Sequence, residues 1–185
     1  MTRFEIHSID SAPQGARPTL EAAKERFGFL PNLLGEFAAA PPALEAYVTL
    51  NGLLEKTSLS PVEQQLVLLA VSVANGCDYC VAAHTAGLKQ SGFDADELEA
   101  ARSGRSLQDP RQEALRSFTT AVVEKRGHPE EEDLESFFEA GFEKEQVFEV
   151  LVGVAMKTLS NYTNHIAGTS LDRELEPFAW EAAAV

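Results

Sequence analysis

Apolar residues recur every three or four positions along most of the chain, and no stretch sustains an alternation of period two. That pattern predicts helices throughout and no strands. Pro18 opens a first helix that runs to Arg26 and stops at Gly28. Phe29-Leu30-Pro31-Asn32 turns the chain into a short second helix, about residues 33–39, and Pro41-Pro42 start a third through Leu44, Tyr47, Val48 and Leu53-Leu54. The clearest start is Ser60-Pro61-Val62-Glu63, a capping box with proline at the first helical position. Val62, Leu66, Leu69 and Val73 follow as one apolar face of a helix ending near Asn75-Gly76. The next helix runs from about Cys77 to Gln90. Gly92 breaks it, and Asp94-Ala95-Asp96-Glu97 reads as a second capping box. Three more helices follow: residues 108–125 with Leu115, Phe118 and Val122 inward, a short acidic one over 130–140, and a long one over 143–167 stopped by Gly168.

The expectation is one all-α domain, a compact bundle of about eight to ten helices spanning 1–185 with its core over about 18–172. No Gly- or Ser-rich linker and no repeat of fixed period interrupts it. The 185 residues suffice for a real hydrophobic core, and 44% hydrophobic with 24% charged residues is ordinary globular composition. A formal charge of −14 makes nucleic acid a poor partner. Met1-Thr2-Arg3-Phe4-Glu5-Ile6-His7 lacks the apolar stretch of a signal peptide, and the apolar windows at 66–74 and 147–156 are too short to cross a bilayer. A cytoplasmic protein without a membrane partner is therefore expected. In that reducing compartment two cysteines are inert, metal-binding or redox-active rather than a structural staple.

The two cysteines are Cys77 and Cys80, and His84 follows. On a helix, positions i, i+3 and i+7 share a stripe, so both sulfurs and the imidazole face one cavity. The unsatisfied N–H groups at a helix start favour a thiolate. His84 is placed to exchange a proton with Cys80, and Cys77 to attack an oxidised Cys80, which gives a dithiol–disulfide cycle within two turns. Two other readings stay open. A buried cysteine is often only a small hydrophobe. Zinc would need a fourth ligand beyond this helix, from His165 or an acid.

Leu59-Ser60-Pro61-Val62-Glu63, Leu66-Val67-Leu68-Leu69-Ala70-Val71-Ser72, Asn75-Gly76-Cys77-Asp78-Tyr79-Cys80 and Ala82-Ala83-His84 resemble the carboxymuconolactone decarboxylase superfamily, and within it the alkylhydroperoxidase D-like, peroxidase-related branch. Phe27-Gly28-Phe29-Leu30-Pro31-Asn32 resembles the branch's N-terminal signature, and Leu159-Ser160-Asn161-Tyr162-Thr163-Asn164-His165 its C-terminal helix. The resemblance implies an all-α fold of the alkylhydroperoxidase D-like type that assembles into homo-oligomers. It implies a peroxidase in which Cys80 attacks the hydroperoxide, Cys77 resolves the sulfenic acid and His84 belongs to the proton relay. It implies a lipoyl or thioredoxin-like dithiol as reductant and no metal or organic cofactor. One position departs from the pattern: Gln65 stands where the branch has a glutamate, twelve residues before the first cysteine, and an amide takes no proton.

Around this core stand accessory candidates. Glu63 is the nearest acid to Gln65, although it lies about 200° around the helix and reads first as the partner of Ser60. Tyr79 reads as packing with its hydroxyl near the site rim, and Asp78 as pointing outward. His165 falls in a polar run at 161–165 that either lines a pocket or faces solvent or a subunit interface. His7 and His128 carry no signal. Phe27, Phe37, Phe118, Phe137, Phe138, Phe142 and Phe148 read as core or interface. The leading expectation is a cysteine-dependent peroxidase or thiol–disulfide oxidoreductase. The alternatives are a non-redox decarboxylase-like enzyme and a non-catalytic redox-sensing helical module.

Overall fold

A computed structural model describes residues 4–181. Met1–Arg3, part of the stretch read for a signal peptide, and the last residues of the span expected for the domain lie outside it. Nine α-helices make up the described residues, with no strand among them: α1 (Arg17–Phe27), α2 (Asn32–Phe37), α3 (Pro41–Leu54), α4 (Pro61–Ala74), α5 (Asp78–Gln90), α6 (Ala95–Arg102), α7 (Pro110–Glu124), α8 (Glu131–Glu139) and α9 (Lys144–Ala167). A single 3₁₀ turn, Glu176–Phe178, follows.

The ends of these helices follow local chemistry. Ser60 Oγ accepts from the Glu63 N–H while the Glu63 carboxylate accepts from the Ser60 N–H, so the box read from sequence is made in full. Gly28 and Gly168 close α1 and α9 in the left-handed region. The box read at Asp94 is only half made. Asp94 accepts from the N–H groups of Asp96 and Glu97, but the Glu97 carboxylate turns away to accept from the Gln108 N–H. Helix α7 begins two residues later than its periodicity predicts, because Asp109 caps it ahead of Pro110.

Helix α4 is the axis of the bundle. It packs on α5, α6, α7 and α9, and Leu66 through Ser72 are all buried. The single apolar face read from its sequence is therefore too narrow: a helix buried on every side needs no polar face. One core cluster gathers around Leu66, Val67, Leu69, Leu115, Phe118, Phe137 and Val150. There Phe137 lies 4.4 Å, centroid to centroid, from both Phe118 and Phe142. The second cluster joins α1, α2 and α3 to the start of α5, and it contains Cys77, Tyr79 and Cys80. Phe37, Phe118, Phe137 and Phe142 are core; Phe27, Phe138 and Phe148 are exposed. Among the described residues no helix is long and apolar enough to cross a membrane.

Candidate active site

Gly76, at φ +65°, turns the chain out of α4 so that α5 starts against it. Cys77 is the N-cap of α5; its N–H donates to the Ser72 carbonyl at 2.9 Å. Cys80 sits in the first turn. Both are free thiols and both are buried, at 0% and 1% exposure. The pair therefore lies at a helix N-terminus, as its spacing predicts, but inside the second core cluster rather than on an open cavity wall.

What meets the sulfurs comes from α9. Lys157 Nζ donates to Cys80 Sγ at 3.1 Å, and Ser160 Oγ lies 3.9 Å from the same sulfur. Asn164 Nδ2 donates to both sulfurs, at 3.2 Å to Cys80 and 3.5 Å to Cys77. Lys157 is 1% exposed, and among the described residues no carboxylate lies within ion-pairing distance of it. Burial alone would keep Cys80 a neutral thiol. The Cys77 S–H, the Lys157 charge and hydrogen bond, and the Ser160 hydroxyl outweigh burial and hold its pKa well below the ordinary thiol value. The neighbouring Cys80 sulfur and burial push Cys77 the other way, far up. The two opposed shifts favour a thiolate at Cys80 beside a thiol at Cys77. Lys157 also gains: burial pulls its pKa down, but the charge of Cys80 and its hydrogen bond overcome this and leave the ammonium favoured.

His84 lies one turn past Cys80, but no hydrogen bond joins it to either sulfur among the described residues. Its Nδ1 meets Gln65 Oε1 at 3.0 Å. An amide oxygen only accepts, so Nδ1 carries the proton and Nε2 holds a lone pair, buried and without a partner among the described residues. Burial first, then the Lys157 charge, hold the imidazole pKa well below 6.5. Gln65 fits here because residue 87 is glycine: a Cβ there would come within 2.9 Å of Gln65 Oε1.

The accessory candidates separate from the pair. Glu63 is spent on the Ser60 cap and on an ion pair with Arg111, 2.8 Å from Nε. The Tyr79 hydroxyl, expected near the site rim, is buried and donates instead to Asp172 while accepting from the Leu33 N–H. It ties α5 to α2 and to the segment after α9. Asp78 is exposed, as its expected outward direction requires. His165 is exposed and lines an open cleft of about 480 Å³ with Gly76, Asp78, Asn164, Thr169 and Trp180. Asn164 is the member of that lining that also touches the sulfurs. As for zinc, neither His165 nor an acid joins the sulfurs, and their neighbours, an ammonium and an amide N–H, are donors rather than ligands.

Lys157, Ser160 and Asn164 as sulfur partners were not foreseen from sequence. The signal was present. Val150, Gly153, Lys157, Ser160 and Asn164 recur at the three–four spacing of the buried stripe of α9, and a lysine on such a stripe needs an anion.

The carboxymuconolactone decarboxylase family model matches residues 41–120, which contain α3 through α5 and the cysteine pair. No curated protein matches the chain. Among solved structures, an uncharacterized peroxidase-related protein with an alkylhydroperoxidase AhpD core from Ralstonia eutropha JMP134 is 25% identical, covers 94% of this chain and 93% of its own, and superposes with a TM-score of 0.83. An uncharacterized peroxidase-related protein from Silicibacter sp. TM1040 is 21% identical over 94% of this chain and 92% of its own, with a TM-score of 0.79. The debrominase Bmp8, as a C82A variant in complex with 2,3,4-tribromopyrrole, is 16% identical over 96% of both chains, with a TM-score of 0.81. The chain thus carries the carboxymuconolactone decarboxylase family match on an all-α alkylhydroperoxidase D-like fold.

Proposed function

We propose that this protein is a thiol–disulfide oxidoreductase that reduces hydroperoxides at the Cys77–Cys80 pair. The observation that carries the reading is the Lys157 ammonium 3.1 Å from Cys80 Sγ, with a second thiol beside it. A thiolate is the reactive form of cysteine, and here it is supplied at rest. The Cys80 thiolate attacks the terminal peroxide oxygen, the O–O bond breaks, and the sulfur becomes a sulfenic acid as an alkoxide departs and is protonated. The Cys77 thiol then displaces hydroxide from that sulfur, giving the disulfide and water. A dithiol, of the lipoyl or thioredoxin-like kind, reduces the disulfide and is itself oxidised.

Cys80 is the nucleophile in this reading, Cys77 the resolving thiol, and His84 a neutral acceptor through its free Nε2 rather than one half of an acid relay. Substrate enters past Asn164 from the cleft that it and His165 line. The burial of both sulfurs favours small or slender hydroperoxides. Non-redox decarboxylase-like chemistry is disfavoured, because the groups at the sulfurs are a cation, an amide and a hydroxyl, with no carboxylate among the described residues there to act as general base. Phe148, Tyr162 and Ile166 are exposed on one side of α9 and support self-association.

Hydroperoxide consumption with a dithiol donor tests the proposal. Wild type is expected to turn over and Cys80→Ser to fall by at least about a hundredfold. Equal rates would overturn the role of Cys80. A disulfide that forms and reopens without peroxide turnover would favour the redox-sensing module.

A further inference from the structure

We propose that Lys157 is the redox-coupled proton carrier of this site: it gives up its proton as Cys80 is oxidised and takes one back as Cys80 is reduced. This rests on the thiol–disulfide reading above for its redox step. It assigns the proton work that Gln65 is unable to do.

The argument starts from charge. Lys157 is buried, its Nζ contacts Cys80 Sγ, and among the described residues no carboxylate pairs with it. The titratable groups that face it are Cys80, Cys77 and His84 from α5 and Tyr47 from α3. His84 is held neutral, and Cys77 and Tyr47 are held protonated by their surroundings. The Cys80 thiolate is therefore the anion that balances the ammonium. Oxidation removes that anion. A buried ammonium left without a counter-charge is strongly disfavoured, and neutralisation is its cheapest escape.

The other candidates fail on geometry. The His84 proton is on Nδ1 and committed to Gln65, and its Nε2 only accepts. The Gln65 amide neither gains nor loses a proton. Ser160 and Asn164 orient but do not ionise. Lys157 is also in contact with the sulfur where bonds change, so its proton has the shortest path to the departing oxygen.

The step balances as follows. The Cys80 thiolate, the Lys157 ammonium and a hydroperoxide give Cys80 sulfenic acid, neutral Lys157 and an alcohol. Neutral Lys157 then takes the Cys77 proton. The Cys77 thiolate attacks the sulfenic sulfur, and the ammonium returns the proton to the displaced hydroxide as water. The site is left as disulfide plus neutral amine. An incoming dithiol supplies two electrons and two protons, one to Cys77 and one to Lys157.

The test needs no peroxide. The disulfide of the full chain is equilibrated with dithiothreitol between about pH 6 and about pH 8, and thiolate is followed in parallel by its absorbance near 240 nm. Reduction by a dithiol below its own pKa leaves no net proton if Lys157 takes one. The expected result for wild type is an equilibrium constant independent of pH although Cys80 is a thiolate. In K157R the charge persists but the proton is never released, so the constant is expected to rise tenfold per pH unit. A tenfold rise per pH unit in wild type itself would overturn the proposal, and that measurement decides even if K157R does not fold. Absence of hydroperoxide turnover would instead count against the peroxidase reading, so the two failures are distinguishable.

Discussion

The amide oxygen of Gln65 accepts from His84 Nδ1 at 3.0 Å, and this contact between α4 and α5 fixes the imidazole tautomer. Replacing the amide by a carboxylate would put an anion on the same N–H. Gln65→Glu is expected to raise the His84 pKa markedly and add a histidine-dependent limb to the pH profile of turnover, while the rate at neutral pH changes less than about threefold. The ring resonances of His84 followed against pH check this. A wild-type His84 that titrates at its ordinary 6.5 would contradict the buried, neutral ring.

Removing the resolving thiol should stop the cycle halfway. In Cys77→Ser one equivalent of hydroperoxide is expected to leave a sulfenic acid on Cys80, trapped by a dione reagent and seen by mass. In wild type the same treatment gives the Cys77–Cys80 disulfide with little trapping. A sulfenic acid found on Cys77 in Cys80→Ser, formed as fast as in wild type, would reverse the assignment.

At Gly153 helix α9 packs on α4 with no room for a side chain: a Cβ there would sit 2.7 Å from Val67 Cγ1. Gly153→Ala gains about 1 kcal/mol of helix propensity. The overlap with a buried, β-branched neighbour costs about 1–3 kcal/mol, so the overlap wins or at best balances. The expected result is a lower urea midpoint and weaker absorbance from the thiolate, because Lys157 stands one turn farther along the same helix. A higher midpoint with unchanged thiolate would show that α9 adjusts freely.

The pH dependence of stability has a definite sign. The folded pKa of Cys80 is depressed below its unfolded value, so its contribution is complete above the unfolded pKa and is lost as pH falls through the folded one. His84, held neutral, adds the same sign: its contribution is lost as pH falls from about 6.5. Reduced wild type should therefore gain stability from about pH 5.5 to about pH 8, and the double variant Cys80→Ser/Lys157→Met, which leaves no ammonium to shed a proton in the fold, should gain less over the same range. Denaturant midpoints across that range decide. Equal slopes would mean that Cys80 is not ionised in the fold.

Much of this architecture is written locally. Ser60-Pro61-Val62-Glu63 dictates a helix start from four adjacent residues, and the cysteine spacing dictates a shared stripe within one helix. What escapes a local reading is pairing across long separations. Lys157 meets Cys80 only because α9 folds back over α5, 77 residues away in sequence. Tyr79 finds Asp172 across 93 residues, which turns an expected rim hydroxyl into a structural tie. Glu97 forsakes its cap for Gln108 because the loop before α7 presents a backbone N–H there. The polar run at 161–165 marks a real feature, but helical phase gives the sulfurs Asn164 and gives solvent His165.

The central claim is that reduced Cys80 is a thiolate held by Lys157. Its most direct test is the absorbance near 240 nm of reduced wild type, Cys80→Ser and Lys157→Met, titrated with acid and base. The account predicts about one thiolate per chain at neutral pH in wild type, lost in Cys80→Ser and shifted to alkaline pH in Lys157→Met. A wild-type signal that rises only near the ordinary thiol pKa of about 8.5, or one unchanged in Lys157→Met, would contradict it.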